Sequence, residues 1–270
     1  MAENAKKIAL KWVDDNSSMI SELNRKIWEF AELGLLEYKT SNLISSTLKG
    51  YGFEVEQGEA GMPSALVSVW GSGKPVIGIQ GELDALPSLS QKDVPYEDPI
   101  KKGDPGHGCG HNIYASSGVG GVIASKIAME ETGLPGTVKF LGTPAEETLV
   151  GKVFMVRDVV FDGVDASLGH HPSQRNGVSL APGNAMNSVK FEFFGRSSHA
   201  ASDPENGISA MDGVELMNVG ANFLREHVIQ ETRIHYVVEN GGHEPNVVPP
   251  YARSWYYVRA PERILVDDYY

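Results

Sequence analysis

Between residues 53 and 147 the chain alternates short β-branched runs with one long helical stretch, and nothing else in the sequence constrains its fold as much. FEVEQ (53–57), ALVSVW (65–70), PVIGIQGELD (75–84) and TVKFLGTPAEE (137–147) are rich in Val, Ile and Phe and are punctuated by Gly and Pro, the pattern of strands bounded by turns. IYASSGVGGVIASKIAMEE (113–131) lies between the last two and is long enough to read as a helix. Such alternation predicts an α/β domain in layers, with chemistry concentrated at strand ends and in the loops that follow them. Upstream, residues 3–50 read as helical. Ile20, Leu23, Ile27, Phe30 and Ala31 recur at helical spacing over about 17–32, and a stretch at 39–50 ends at Gly50 and Gly52, residues suited to a C-terminal cap. VRDVVFDGVDASLGHH (156–171) reads as helix, turn and strand.

After about residue 186 the rhythm resets. NSVKFEFFG predicts a strand, NGISAMDGVELMNVGANFLREH a helix, TRIHYVVENGG and YARSWYYVRA two strands, and PERILVDDYY the start of another helix. This β-α-β-β-α order is a ferredoxin-like α+β unit without its closing strand. The expected division is therefore 1–186 and 187–270.

Composition limits the partners. The formal net charge is −12 and no Lys/Arg run exceeds two residues, so nucleic acid and anionic membrane are both disfavoured. No apolar run reaches the ~18 residues of a membrane span. Charges interrupt the N-terminal MAENAKKIALKWVDDN, unlike a secretory leader. The expected location is cytoplasmic. GSGKP (71–75) lacks the Ser/Thr and upstream Gly of a phosphate loop, and GVGGVI (118–123) lacks the last Gly of a dinucleotide fingerprint. No G-x-S-x-G elbow is present.

Four clusters at predicted strand ends or loops carry the candidate chemistry. In HGCGHN (107–112) the single cysteine, Cys109, lies two residues from His111 in a Gly-rich turn; thiolate and imidazole suit zinc and similar metals. In PAEE (144–147) paired carboxylates follow a strand. One could bind metal and the other act as general base, given a cation to offset their repulsion. SLGHHP (167–172) brings two adjacent histidines, and GELDALP (81–87) two acids on one side of a strand. Each cluster alone is most often ordinary structure: Cys-Gly-His a packed turn, a Glu pair a solvated surface, a His pair a surface turn. Four of them together are hard to assign to chance.

With these segments the sequence resembles the aminoacylase/carboxypeptidase superfamily of dinuclear metallohydrolases. The most similar branch contains indole-acetyl-amino-acid hydrolases and the B-type chains of aminobenzoyl-glutamate hydrolases. The resemblance runs through EFAELGLLEYKTS, GELDALP, HGCGHN, GTPAEET, GHHP, FFGRSSHAA, GGHEPNVVP and YVRAP, essentially the whole chain. It implies a phosphorylase/hydrolase-like catalytic domain, a mixed sheet flanked by helices, with an inserted ferredoxin-like lid and dimerisation domain. It also implies two divalent ions, Zn2+ or Mn2+, held by Cys109, His111, Glu147 and His171, with His170 the weaker match. Glu146 matches the general base and Asp84 the acid that orients the site. Glu82 stands where related branches carry a His ligand. His199 and Asn246 match residues that reach into the active site of a partner chain, and Arg259 is a candidate contact for a substrate carboxylate. The implied reaction is hydrolysis of the amide of N-acyl or N-aroyl amino acids by a metal-bridged hydroxide. The implied assembly is a homodimer through the lid, or a hetero-oligomer with a second kind of chain. Relatives return to the catalytic domain after the lid and supply a last His ligand, so the chain reads as truncated at its C-terminus. The alternative function is an inactive or regulatory component that binds acyl-amino acids or a partner chain.

Overall fold

A computed structural model describes residues 2–178 and 183–270. They form two compact units, Met1–Asn176 and Gly177–Tyr270.

The first unit opens with three helices, α1 (Ala2–Asp15), α2 (Ser17–Phe30) and α3 (Tyr38–Gly50). Five strands follow: β1 (Glu54–Gln57), β2 (Leu66–Ser72), β3 (Val76–Glu82), β4 (Gly136–Thr143) and β5 (Ala166–Leu168). They build one mixed sheet in the order β1-β2-β4-β3-β5. β1–β2 and β2–β4 are antiparallel, whereas β4–β3 and β3–β5 are parallel. The long helix α4 (His111–Thr132) connects β3 to β4, and the short α5 (Gly151–Arg157) lies between β4 and β5.

The register of the parallel strands matters most for the site. Glu82 pairs with Thr143 at the last position of β3 and β4, so GELDALP and PAEE leave the sheet at the same end. β5 runs parallel to β3, which sends its following loop, with His170 and His171, to that end too. Parallel neighbours need a crossover, and α4 supplies it, starting beside the end of β3. Helix and sheet approach closely because a Cβ on Gly118 would lie 2.8 Å from the Gln80 carbonyl oxygen; no larger residue fits there. Phe140, Leu66, Ile123, Val119, Ile27 and Ile44 fill the core between sheet and helices.

Several boundaries differ from the sequence expectation: β3 ends at Glu82 rather than 84, the helix expected from 156 lies at Gly151–Arg157 with turn after it, and two more differ at the site. β4 stops at Thr143, so PAEE forms a loop rather than the end of the strand. α4 starts at His111, two residues early, with Gly110 in the left-handed region at φ 81° as its N-cap. Hydrophobic periodicity does not register the first turn of a helix whose side chains face a polar site.

The second unit contains β6 (Ala185–Phe194), α6 (Ala210–Leu224), β7 (Arg233–Asn240), β8 (Tyr251–Ala260) and α7 (Arg263–Asp268), the order read from the sequence. Its antiparallel sheet runs β6-β8-β7. In the central β8 burial alternates strictly, with Ala252, Ser254, Tyr256, Val258 and Ala260 inward, the period-two pattern of a sheet covered on one face. Tyr256, Val258 and Ile234 pack with Met217 and Ala221 of α6 and with Leu265 and Val266 of α7. No helix among the described residues is long and apolar enough to cross a membrane.

Candidate metal centre

At the shared strand end, His111 is the hub. As the first residue of α4 it is fully buried, with Glu82 and Asp84 nearly so. Its Nδ1 lies 3.0 Å from the Asp84 carbonyl oxygen and 3.1 Å from Asp84 Oδ1. Nδ1–H therefore donates to Asp84, and the tautomer leaves the Nε2 lone pair facing the site. Asp84 Oδ2 accepts from the backbone N–H of Glu147 at 2.9 Å, so one carboxylate fixes both the imidazole and the PAEE loop. Around His111 Nε2 stand Glu82 Oε2 at 3.0 Å, Glu146 Oε2 at 3.8 Å and Glu147 Oε1 at 3.9 Å.

Cys109 and His171 form the other half. Cys109 Sγ is 3.3 Å from His171 Nε2, and His171 Nδ1–H donates to the Pro172 carbonyl oxygen at 2.9 Å. Both imidazoles thus have the arrangement typical of metal-ligating histidines, one nitrogen tied to a carbonyl or carboxylate and the other turned toward the cluster. His170 turns away, its Nδ1 3.3 Å from Ser117 Oγ. The turn between Cys109 and His111 requires glycine: at φ 81° a side chain on Gly110 is strained, and its Cβ would meet Pro172 Cγ at 3.0 Å. Two three-residue groups have ligand atoms all within 4.8 Å of one another, Cys109–His111–His171 and Glu82–His111–Glu146.

The family pattern of Peptidase family M20/M25/M40 matches residues 78–250, more than half of the chain. The chain belongs to that family. Among curated M20 relatives, the B chain of Escherichia coli p-aminobenzoyl-glutamate hydrolase is 39% identical over 96% of this chain and 55% of its own length. Mouse Xaa-Arg dipeptidase is 31% identical over 96% of the chain and 59% of its own length. The chain thus spans little more than half of these relatives. The fold matches a solved structure of a putative aminohydrolase from methicillin-resistant Staphylococcus aureus, with TM-score 0.72, 22% identity, and coverage of 97% of this chain and 69% of the other. It also matches a dinuclear metal-binding M20 peptidase from Bacillus subtilis, with TM-score 0.61, 22% identity, and coverage of 93% and 66%.

The donor set of this M20 chain fits a metal on physical grounds. His111 Nε2, Glu82 Oε2 and Glu147 Oε1 are buried and make no hydrogen bond, a costly state for polar atoms unless a cation completes them. The charges point the same way: Glu82, Asp84, Glu146 and Glu147 converge with Lys152 as the cationic partner, on Glu82. Burial, reinforced by Glu147, pushes the Cys109 thiol up to about 11. Burial and the charge of Glu82 raise the Glu146 carboxyl above its ordinary range. At His111 burial opposes protonation, yet Asp84 and Glu82 outweigh it and lift the imidazole to about 10. Burial leads at Cys109 and Glu146 with the neighbouring carboxylates adding to it, whereas at His111 the carboxylates prevail over burial.

The remaining candidates lie in the second unit. His199 forms a bridge with Val247, and Asn246 O accepts from Ala200 N–H at 3.0 Å, so the two loops that carry these candidates pair although far apart in sequence. His199 Nδ1 accepts from the backbone N–H groups of Ala201 and Ser202 at 3.2 Å each. That fixes the proton on Nε2, which remains a free, exposed donor. Arg259 sits near the end of β8 with its guanidinium 5.6 Å from the Tyr257 ring. Its Nε is buried without a hydrogen bond, and it lines a cavity of about 220 Å³ with His235, Trp255 and Tyr257.

Three residues near the centre are not predicted as site residues from the sequence, although His107 opens HGCGHN and Glu37 lies in EFAELGLLEYKTS. Lys152, from α5, pairs with Glu82. His107 is held neutral, lowered to about 4 chiefly by burial, with its Nε2 3.1 Å from the Ile27 carbonyl oxygen. Glu37 is fully buried; it accepts from Ser64 Oγ at 2.6 Å and from the N–H of Ala145 at 2.8 Å. Ala145 directly precedes Glu146 and has a left-handed φ of 54°. The segment just before Glu37 holds the other acidic loop, since Glu32 O accepts from Ala85 N–H at 2.8 Å. Local pattern assigns none of the three its role, because their partners are distant in sequence. Replacing Glu37 with Ala strands the Ala145 N–H, and urea unfolding is expected to show a loss of about 1–3 kcal/mol. E37Q keeps an acceptor and should lose less than half of that.

Proposed function

We propose that the chain is the metal-binding part of a hydrolase that cleaves the amide bond of N-acyl or N-aroyl amino acids. The convergence of buried, unpartnered donors at the end of the parallel strands carries this reading, and membership of the M20 family supports it. Cys109, His111, Glu147 and His171 would hold two divalent ions, Zn2+ or Mn2+, since thiolate and imidazole favour the former and carboxylates admit the latter. The ions supply Lewis-acid activation of water and of the carbonyl. Glu146, the more exposed of the two PAEE carboxylates, takes the proton from the attacking water and returns it to the leaving amine. Asp84 holds the His111 tautomer and the Glu147 backbone. His199, with its proton fixed on Nε2, donates to the developing oxyanion, helped by Asn246, while Arg259 receives the substrate carboxylate.

The second unit serves as lid and dimerisation domain, inserted into the catalytic domain at about residue 187, and offers His199 and Asn246 across the dimer. Both chains of the Escherichia coli p-aminobenzoyl-glutamate hydrolase resemble this one, the A chain at 25% identity over 88% of it. Pairing with a second, related chain is therefore the alternative to a homodimer. Substrates to test are p-aminobenzoyl-glutamate, Xaa-Arg dipeptides and simple N-acyl amino acids. Amide cleavage by the purified protein should vanish on chelation and return with Zn2+ or Mn2+. Bound metal without cleavage of any of them would assign the chain a binding role instead.

A further inference from the structure

Glu82 is not among the four ligands proposed above, yet it is the carboxylate nearest to His111 Nε2, at 3.0 Å. A proton shared between the two would account for that approach if the atoms stood in hydrogen-bond geometry. They do not: both Glu82 Oε2 and His111 Nε2 are buried and make no hydrogen bond. Asp84 already takes the Nδ1 proton, so in the neutral form of the imidazole, the one that binds metal, Nε2 offers a lone pair, and that lone pair and the one on Oε2 repel unless a cation lies between them. Ligands about 2.0–2.2 Å from one ion stand about 3 Å or slightly more from each other, which is the separation observed. The other oxygen of Glu82 is occupied by Lys152 Nζ, leaving Oε2 as the single free donor and aiming it at His111. Glu82 is also 6% exposed, too buried for a carboxylate that water could satisfy.

We propose that Glu82 is itself a metal ligand, binding through Oε2 the same ion that His111 binds through Nε2, with Lys152 fixing Glu82 in one-oxygen coordination. This rests on the metal-centre reading above. One imidazole lone pair serves one ion, so the Glu82–His111 pair and the Cys109–His171 pair, the latter 3.3 Å apart at its donor atoms, become the anchors of separate ions. One anchor is oxygen and nitrogen, the other sulfur and nitrogen. The two ions then differ in ligand softness, and softer metals should prefer the Cys109 position.

Cobalt(II) tests this without any turnover assay. The metal-free protein is titrated with Co2+ while the thiolate-to-cobalt charge-transfer band in the near ultraviolet and the d–d bands in the visible are followed. Affinity is measured against a chromophoric chelator. In wild type the charge-transfer band should appear with two ions bound. Glu82→Gln should keep that band, weaken the binding of one ion by at least about tenfold, and change the d–d envelope. Glu82→His restores a ligand without restoring a charge, so it should recover the lost ion with a new d–d spectrum. If E82Q binds both ions with unchanged affinity and spectrum, or if E82H behaves like E82Q, Glu82 is not a ligand. Circular dichroism checks that each variant is folded. Should E82Q not fold, E82H alone decides, a changed d–d spectrum supporting the ligand and an unchanged one refuting it. A wild-type protein with no charge-transfer band would instead refute Cys109 as a ligand, and with it the metal-centre reading itself.

Discussion

Glu146→Gln is expected to lower kcat for amide cleavage by about 10²–10⁴-fold, the usual worth of a positioned general base, with metal content unchanged. The substitution preserves shape and removes only the ability to take a proton. Glu146 suits the role because it stands at the rim of the donor cluster, 3.8 Å from His111 Nε2 with a third of its side chain exposed, whereas Glu147 is deeper. Its raised carboxyl, the result of burial and of Glu82, holds a proton more firmly than an ordinary glutamate and so can pass it on. The comparison variant is Glu147→Gln, which should lose metal as well as rate. Steady-state kinetics with metal analysis on the same samples separates the two. Near-full turnover by E146Q, or equal metal loss in both variants, would refute the division of labour within PAEE.

His111→Ala is expected to cause the second large loss, and it acts on the fold as well as on the metal. In the metal-free protein the imidazole lies between Glu82 and Asp84, all three nearly or fully buried, and Asp84 also anchors the Glu147 backbone. Removing one partner from a buried charged group leaves the others uncompensated, at a cost of about 3–5 kcal/mol. Denaturant unfolding in chelator should show that deficit in H111A and much less of it in Cys109→Ala, since the part-exposed thiol at the rim compensates no buried charge. Both variants should lose metal. If H111A is as stable as C109A in chelator, the imidazole is not the electrostatic keystone that its contacts imply.

Much of this site was legible in the chain before any folding. Strand-like runs ending in GELDALP, PAEE and GHHP, with HGCGHN before a helix, place acids, imidazoles and a thiol at strand ends by local pattern alone, because side-chain alternation and turn chemistry are short-range properties. The clusters that contain Cys109, His111, Glu146, Glu147 and the 170–171 histidine pair follow from that pattern, and the structure brings them to one end of the sheet. The parallel pairing of β3 with β4 and β5 is the physical cause, and strand order is a long-range property that no segment encodes by itself.

Tertiary structure decided the rest. His170 and His171 are neighbours in sequence with the same chemistry, yet one faces Ser117 and the other Cys109, a choice made by packing against α4. The loops of His199 and Asn246 come together only because they pair through backbone hydrogen bonds within the second unit. Glu37, inside EFAELGLLEYKTS, and Lys152, outside every motif, matter because Ala145 and Glu82 arrive beside them from distant positions. The sequence by itself determined which kinds of donor stand at the strand ends. The fold determined which atoms of those donors are buried without a partner, because desolvation and hydrogen-bond geometry exist only once the chain has closed around them.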